Sequence, residues 1–388
     1  MRVCMVAYSF YEADNRVRRY AEALARRGDT VEVIALSHAE RPDKAEINGV
    51  RVHNIQKRKL NEKTKLDYLF RTTLFLVRSF IFLTRQHLKA PYQFIHVHSV
   101  PDYEVFAALI AKILGARVVL DIHDIVPEFY AGKFGGNQKS AVFRALVFVE
   151  KLCCAFSDHV IISNDLWAEK LTGRSVKQKK CLTLLNYPDP FIFHSRHPAK
   201  NEKAPFTLLY PGTLNWHQGL DIAIRAMALV KKQALSAELH IYGRGPEEHN
   251  LKALASSLDL QACVKFFGIL SLEEVAERME AADAGLVPKR ADGFGNEAFS
   301  TKIFEFMALG VPVIVSRTRI DQYYFDDSLV LFFEPGSPDD LAEKIASCVK
   351  DRQFAQGRAE NAAPFIRKNT WDVKQSLYFN LVDSLVAR

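Results

Sequence analysis

Twice along its 388 residues the chain alternates short, β-branched apolar runs with segments of helical period. A short apolar run without alternation reads as a strand buried on both faces. Strands separated by helices need crossover connections, so each series predicts a parallel sheet covered by helices. In the first half strands are expected at Arg2–Tyr8, Thr30–Leu36, Phe94–His98, Arg117–Ile122, His159–Ile162 and Cys181–Leu185, with a helix over Asn15–Gly28 closed by Gly28. The pattern restarts with Phe206–Tyr210, Glu238–Tyr242, Val264–Phe267, Ala284–Val287 and Pro312–Val315. Ser271 with Glu274 forms a capping box, and Ser337-Pro338 marks another helix start. Between the two series, residues 188–205 are Pro-rich, charged and aperiodic. The expected organisation is a first domain over 1–188, a linker over 189–205, a second domain over 206–368, and a C-terminal helix over 369–388 packing back on the first domain. Two doubly wound α/β domains facing each other would place a cleft at the carboxyl ends of both sheets.

Composition narrows the class further. With 48% apolar and 25% charged residues the chain is neither disordered nor fibrous, and each domain is large enough to bury a core without staples. Six cysteines show no C-x-x-C spacing and resemble neither a zinc set nor a secreted disulfide framework. The opening run M-R-V-C-M-V-A-Y turns polar at Glu12 and reads as a buried first strand rather than a signal peptide. A reducing, cytoplasmic compartment is expected.

The formal charge of +7 is local. Residues 51–89 hold ten basic side chains, among them Lys57, Arg58, Lys59, Arg71, Arg78 and Arg85, against Glu62 and Asp67. Arg71, Arg78 and Arg85 recur every seven residues in the run L-F-R-T-T-L-F-L-V-R-S-F-I-F-L-T-R-Q-H-L, so on a helix they form one slowly drifting row. Those arginines interrupt any stretch long enough to span a bilayer. Two readings stand together. The helix can be a domain helix with solvated arginines, or it can lie with its preceding basic loop on an anionic membrane surface.

Three segments of the second half carry candidate ligand chemistry. Tyr242-Gly243-Arg244-Gly245-Pro246 follows a strand and is expected to open a helix at Pro246, where glycines allow close backbone approach and a helix N-terminus favours an anion. Pro211-Gly212 through Gly219-Leu220 is a second glycine turn of that kind. The most informative stretch is G-N-E-A-F-S-T-K-I-F-E-F-M-A-L-G, residues 295–310. Ser300 is a natural N-cap with Thr301 beginning the helix, so Glu297 lies in the loop and Lys302 and Glu305 share a face. Carboxylates, a cation and free backbone N–H groups at one helix start suit a sugar phosphate. The alternative is a surface Lys–Glu pair beside an ordinary loop carboxylate.

At these residues the sequence resembles the retaining glycosyltransferases of the GT-B fold, in the large bacterial group numbered family four. Glu297 and Glu305 have the group's E-x7-E spacing, followed by M-A-L-G-V-P-V-I. Gly212 to Asp221, the Tyr242-Gly243-x-Gly245-Pro246 turn and Val264 to Gly268 come in the expected order, and Asp121-Ile122-His123-Asp124 with Pro127-Glu128 resembles the group's histidine-bearing loop. The resemblance runs from about residue 2 to residue 335. It implies two Rossmann-like domains with the site in the interdomain cleft. It implies that Glu305 binds the nucleotide ribose, that Glu297 and the following backbone bind the donor sugar, and that Gly268 and Ile269 lie by the base. His123 would sit near the transferred sugar as an orienting or polarising group. Transfer would proceed without an enzyme nucleophile, the leaving phosphate taking the acceptor proton on the same face.

The chain departs from that group at His217-Gln218-Gly219, where many relatives carry Arg and Lys, so Lys302 or Arg244 is expected to serve the diphosphate instead. The first loop lacks the common Gly-Gly, which leaves Asp14 and Arg16 as contacts to donor or acceptor, with Asp124 and Glu128 also on the cleft side. No D-x-D triplet occurs, and neither a metal site nor a cofactor is expected. The implied function is sugar transfer from a nucleotide-diphosphate sugar to a lipid-linked oligosaccharide or polysaccharide in cell-surface glycan synthesis, lipopolysaccharide included. The implied place is the inner face of the cytoplasmic membrane, as a peripheral protein. A GT-B epimerase acting on nucleotide sugars and a non-catalytic GT-B-like scaffold are the alternatives. Nucleic acid is not an expected partner, since the basic segment has no recognised module.

Overall fold

The computed structural model describes residues 1–37, 44–58, 65–134, 140–196 and 204–387. The chain divides into two compact units, one formed by Met1–Asn186 with Gln375–Arg388 and the other by Tyr187–Lys374.

In the first unit the elements run β1 (Arg2–Phe10), α1 (Asn15–Arg26), β2 (Thr30–Ser37), β3 (Lys44–Ile47), β4 (Val50–Lys57), α2 (Lys65–Lys89), β5 (Phe94–His98), a 3₁₀ turn (Asp102–Ala108), α3 (Leu109–Ile113), β6 (Arg117–Ile122), α4 (Val126–Phe134), α5 (Ala141–Phe156), β7 (His159–Ile162), α6 (Asp165–Arg174) and β8 (Cys181–Thr183). They form one eight-stranded sheet in the order β3-β4-β2-β1-β5-β6-β7-β8, parallel throughout except for the β3–β4 hairpin at its edge. Sequence order reverses between β1 and β5. The loops leaving the carboxyl ends of those two strands therefore diverge and open a crevice. The strands at the centre are buried on both faces, as their unbroken apolar runs require. The hairpin escaped the sequence reading because β4 (V-R-V-H-N-I-Q-K) alternates as a half-exposed strand does and carries polar residues on its open face.

The second unit contains β9 (Phe206–Pro211), α7 (Leu220–Lys232), β10 (Ala237–Tyr242), α8 (Glu248–Ser257), β11 (Val264–Gly268), α9 (Leu272–Ala281), β12 (Ala284–Val287), α10 (Thr301–Ala308), β13 (Val313–Ser316), α11 (Arg319–Tyr324), β14 (Leu331–Phe333), α12 (Pro338–Lys350) and α13 (Arg352–Arg367). Its six strands are ordered β11-β10-β9-β12-β13-β14 and all parallel, with the reversal between β9 and β12. The capping box at Ser271–Glu274 is formed, and Ser337 caps α12 with Pro338 in its first turn. The segment expected as a linker counts with this unit where it is described: Ser195 and Arg196 both hydrogen-bond Glu280 of α9. The last helix, α14 (Trp371–Val386), contributes its residues from Gln375 onward to the first unit, where the Tyr378 hydroxyl meets His96 Nδ1 at 2.9 Å.

One core position of the first unit conflicts with its surroundings. Glu104, in the 3₁₀ turn, is fully buried and neither carboxylate oxygen has a hydrogen-bond partner among the described residues. Burial pushes its pKa up to about 9. An acid whose folded pKa lies above its unfolded value stabilises the fold least at high pH: the unfolded chain releases a proton that the native state retains, so stability falls as pH rises from about 4.5 towards 9. Glu104→Gln is expected to stabilise the protein by about 1–3 kcal/mol near pH 8 and by almost nothing near pH 5. Urea unfolding at the two pH values checks it. An equal loss at both would mean that the carboxyl group makes a needed contact.

Candidate active site

Each unit gathers its polar chemistry at the reversal of its strand order. In the first unit a cavity of about 240 Å³ is lined by Ala7, Tyr8 and Ser9 of β1, Asp14 at the start of α1, His98, Ser99 and Val100 at the end of β5, and His123 and Asp124 after β6. Asp14 is positioned because its carboxylate caps α1, accepting from the Val17 backbone N–H at 3.2 Å. His123 is pinned through its main chain. Its N–H donates to Ser99 Oγ (3.3 Å), and its carbonyl accepts from Ser163 Oγ (2.7 Å).

Behind His123 lies a buried charge network centred on Asp121, which is wholly inaccessible. Arg16 grips it bidentately, Nε to Oδ2 and Nη2 to Oδ1 at 2.7 Å each. Around Oδ2 stand His123 Nε2 at 3.2 Å, His98 Nδ1 at 3.3 Å and His96 Nε2 at 3.9 Å. Burial alone would raise the Asp121 pKa, but the Arg16 guanidinium and the surrounding imidazoles hold it well below the usual carboxylate range. Burial drives His96 and His98 the other way, towards the neutral form. The ionised Asp121 and the His98 ring, whose Nδ1 lies 3.3 Å from His123 Nε2, hold that edge of the His123 imidazole in place, the arrangement of a positioned polarising group.

His96, His98 and Asp121 bring one ligand atom each within 4.8 Å of one another, the spacing of a metal set. The donor set does not fit a cation. Both oxygens of its only carboxylate already carry the Arg16 guanidinium, and a second positive charge beside that buried arginine would meet direct repulsion.

This geometry engages two of the expected site residues in buried ion pairs. Arg16 was expected to contact donor or acceptor, but it is 4% exposed and gives Nε and Nη2 to Asp121 and the Leu184 carbonyl, while Nη1 has no partner among the described residues. Glu128 is likewise buried, held bidentately by Arg174 at 2.6 and 2.9 Å, and that guanidinium also takes Glu150. Neither residue lines the cavity. What sequence reasoning missed was His96 and His98. Two histidines at a period of two inside the apolar strand F-I-H-V-H lie on one side of the sheet, and that was the available signal.

In the second unit the turns after β9 and β10 are folded together. Gly212 N–H donates to the Tyr242 carbonyl (2.8 Å), Gly243 N–H to the Gly268 carbonyl (2.6 Å) and Leu214 N–H to the Arg244 carbonyl (3.0 Å). A Cβ on Gly243, whose φ is +137°, would sit 1.9 Å from the Gly212 carbonyl oxygen, so no other residue permits this crossing. Lys302 fills the space beside Gly212, its Cε 2.6 Å from where a Gly212 Cβ would stand and its ammonium 5.3 Å from the centre of the Tyr210 ring. Burial lowers its pKa, while Glu305 pulls it up and Lys289 pushes it further down. Ser300 occupies the N-cap position of α10 but makes no cap bond, and its buried hydroxyl has no partner among the described residues. The first-turn N–H groups of α10, beginning at Thr301, a partner-seeking hydroxyl and a desolvated ammonium thus converge at one point.

Around that point Glu297 is 7% exposed and meets Arg319 at 3.4 Å. Arg244 is exposed, with Nε 3.9 Å from the place of a Gly268 Cβ, and Ile269 beside it is 72% exposed. Phe267 stacks on Tyr242 at 4.7 Å. The helix expected to open at Pro246 starts two residues later, at Glu248, because Glu247 N–H is still held by the Leu214 carbonyl. The turn lacking the Arg-Lys pair acquires a cation from elsewhere. Arg290, after β12, lies over the Trp216 ring at 4.6 Å, takes both oxygens of Asp221 at 2.6–2.7 Å, and donates its main-chain N–H to the His217 carbonyl. That residue, 69 positions from Asp221, had no local signal. Of the expected membrane-facing residues, Lys57, Arg78 and Arg85 are exposed and Arg71 partly so, while Arg58 lies over the Tyr8 ring at 4.9 Å. Lys59 lies outside the described residues.

Two parallel-sheet α/β units, each with its polar groups at the sheet reversal, define a protein of the GT-B type. Residues 13–186 match the glycosyl transferase 4-like domain and residues 193–364 the glycosyl transferases group 1 domain. The chain is 34% identical over 155 residues to the amylovoran biosynthesis glycosyltransferase AmsK of Erwinia amylovora, covering 39% of this chain and 37% of that one. Among solved structures it resembles a sucrose-phosphate synthase from Thermosynechococcus elongatus, with TM-score 0.83, 19% identity, and 100% and 99% of the two chains covered. It also resembles HepE of Anabaena in complex with UDP and glucose, with TM-score 0.73, 16% identity, and 99% and 100% covered. The chain spans about half, or less, of the length of the curated relatives it matches. With both halves matched, it belongs to the GT-B glycosyltransferases of the family-four type.

Proposed function

We propose that the protein is a retaining glycosyltransferase that moves a sugar from a nucleoside-diphosphate sugar to a hydroxyl of a lipid-linked oligosaccharide or polysaccharide during cell-surface glycan synthesis, without a metal or other cofactor. The observation that carries this reading is the convergence of Lys302, the uncapped start of α10 and the Ser300 hydroxyl beside the Gly212–Gly243 crossing. Together these supply a cation and N–H donors for a diphosphate, with backbone close enough to follow it. Glu305 takes the ribose and Glu297 the sugar hydroxyls, Arg319 fixing the latter's carboxylate. Gly268 and Ile269 border the base, and Arg244 and Arg290 add positive charge at the same sheet ends. HepE, crystallised with UDP and glucose, and AmsK, named for amylovoran biosynthesis, support a nucleotide-sugar donor and a polysaccharide product.

On the first unit His123, oriented by Asp121, and Asp14 with Asp124 receive the acceptor. The leaving phosphate takes the proton of the attacking hydroxyl on the same face, so the protein supplies position and charge rather than a nucleophile. The arginine row of α2 supports a seat on an anionic membrane at its cytoplasmic face. No helix among the described residues is long and apolar enough to cross a membrane.

Thermal unfolding against a panel of nucleoside diphosphates and their sugars tests the donor site. One base is expected to raise the melting temperature of the wild type, by the equivalent of about 2.7 kcal/mol at a hundred times its dissociation constant, and Glu305→Ala is expected to lose most of that gain. No shift with any nucleotide on folded protein would leave a non-catalytic role. Donor turnover without acceptor would favour the epimerase.

A further inference from the structure

Beside the first unit's cavity lies a second, unassigned one. A groove of about 460 Å³ runs between β4 and the N-terminal half of α2, lined by Asn54, Gln56, Lys57, Phe70, Arg71 and Arg78. Its volume falls within the ~300–1,000 Å³ usual for small-molecule sites. Three of its lining residues are cations and one, Asp67, is an acid. Arg71 gives Asp67 its Nε, at 2.7 Å, and both terminal nitrogens have no partner among the described residues. Arg78 makes only long contacts, 3.3 Å to the Ile55 carbonyl and 3.5 Å to Gln56 Oε1, and Lys57 has no partner among the described residues. Gln56 is held by the Arg71 carbonyl at 2.9 Å, so the floor is rigid.

The outer face of the same helix adds a second, independent feature. Leu66, Leu69, Phe70, Val77 and Ile81 are 43–79% exposed and fall on one side of α2, and the arginine row stands immediately beside them. An apolar stripe of this width is unusual on a surface with nothing to cover it. A third feature links the groove to the cavity of His123. Tyr8 lines that cavity, its ring meets Phe75 of α2 edge-on at 5.2 Å, and Arg58, next to Lys57, lies over its face.

We propose that this groove seats the phosphate-bearing headgroup of a membrane lipid acceptor, with Arg71, Arg78 and Lys57 on the phosphate and the Leu66–Ile81 stripe in the bilayer. A phosphate needs several donors in a fork geometry, which Arg71 with its two terminal nitrogens and Arg78, whose Nη1 makes only long contacts, supply. The attached chain needs an apolar surface, which lies one helix face away. Tyr8 then marks the direction of the acceptor sugar, towards His123. The inference rests on the glycosyltransferase reading for the word acceptor, but its site is confined to the first unit.

Vesicle flotation with the full chain tests it, using neutral phosphatidylcholine vesicles doped with a polyprenyl monophosphate or, at equal charge, with phosphatidylglycerol. Arg71→Lys and Arg78→Lys keep the charge and lose the fork. Each is expected to weaken binding to the monophosphate vesicles about fivefold or more and to leave phosphatidylglycerol binding unchanged, whereas Arg85→Gln, outside the groove, should weaken both equally. Lysine variants that bind both vesicles like the wild type would reduce the groove to general surface charge. Displacement from the vesicles by equimolar inorganic pyrophosphate would make it a soluble-phosphate site. Both results overturn the proposal. Nucleotide-induced melting shifts on the same variants report the second unit separately: their absence in wild type would sink the glycosyltransferase reading, while vesicle selectivity would still decide the groove.

Discussion

Arg16→Met is expected to destabilise the protein by about 3–5 kcal/mol, the usual consequence of leaving one member of a buried ion pair without its partner. Arg16 is 4% exposed and Asp121 not at all, so water cannot replace the guanidinium on either carboxylate oxygen. Methionine fills most of the volume, which removes cavity formation as a rival cause. The pH dependence identifies the mechanism. In the wild type the depressed Asp121 pKa contributes stability above the ordinary carboxylate pKa, and that contribution is lost only as pH falls through the much lower folded value. In the variant the remaining neighbours of the carboxylate are imidazoles, with His98 and His123 both about 3.2–3.3 Å away. On acidification the carboxylate left without its cation is neutralised by taking a proton, which removes the uncompensated charge. The deficit is therefore expected to be largest at neutral pH and to shrink as pH falls. Urea unfolding across that range, with the m-value held constant, measures it. A deficit under about 1 kcal/mol, or one that grows on acidification, would show that Asp121 does not depend on Arg16.

Lys302→Met carries the second large effect, and its two parts have opposite signs. The ammonium is desolvated beside Gly212 and over the Tyr210 ring, with no salt bridge among the described residues, so in the free protein it is a burden. Its folded pKa lies below the unfolded 10.5, which means that the unfolded chain holds the proton more tightly and stability at neutral pH is reduced. Removing the charge should leave the melting temperature of the free protein unchanged or higher. The same substitution should weaken binding of the nucleoside diphosphate and slow transfer by about 10²–10³-fold, the range found when one preorganised charge-stabilising group is lost. Lys302→Arg is not expected to rescue, because the Gly212 backbone leaves no room for a planar fork. Melting curves with and without nucleotide, together with turnover, separate the outcomes. A large loss of stability in the free protein would make Lys302 a structural residue, and unaltered turnover would take the diphosphate away from it. Gain in stability with loss of function is the pattern of a residue retained for binding.

Much of this protein is legible in one dimension because its signals are local. Unbroken apolar runs located the buried central strands to within a residue or two, since a strand covered on both faces tolerates no polar position. Ser271–Glu274 and Ser337-Pro338 located helix starts, since a cap is made within one turn of chain. The Glu297–Glu305 spacing and the glycines at 212 and 243 pointed to the second unit's candidate site, because a loop that approaches a phosphate needs N–H groups and no side chains at fixed places along it. Strand β4, in the hairpin at the sheet's edge, was passed over because partial exposure blurs the same pattern.

The tertiary structure decided everything that joins distant parts of the chain. Arg16 and Glu128 look in sequence like cleft residues, and only packing shows that Asp121, 105 positions away, and Arg174 consume them. Arg290 reaches the glycine turn from another strand end, and Tyr378 closes on His96 from 282 residues along. The orientation of His123 is a product of three strands held in register, and no spacing encodes it. The groove beside α2 exists only because β4 lies alongside that helix, so the heptad of arginines, visible at once in the sequence, acquires a shape to bind with only after folding. Local steric and capping rules act over one or two turns and can be read from the chain. Charge pairing and cavity formation act through space, between residues whose separation in sequence carries no information about their distance.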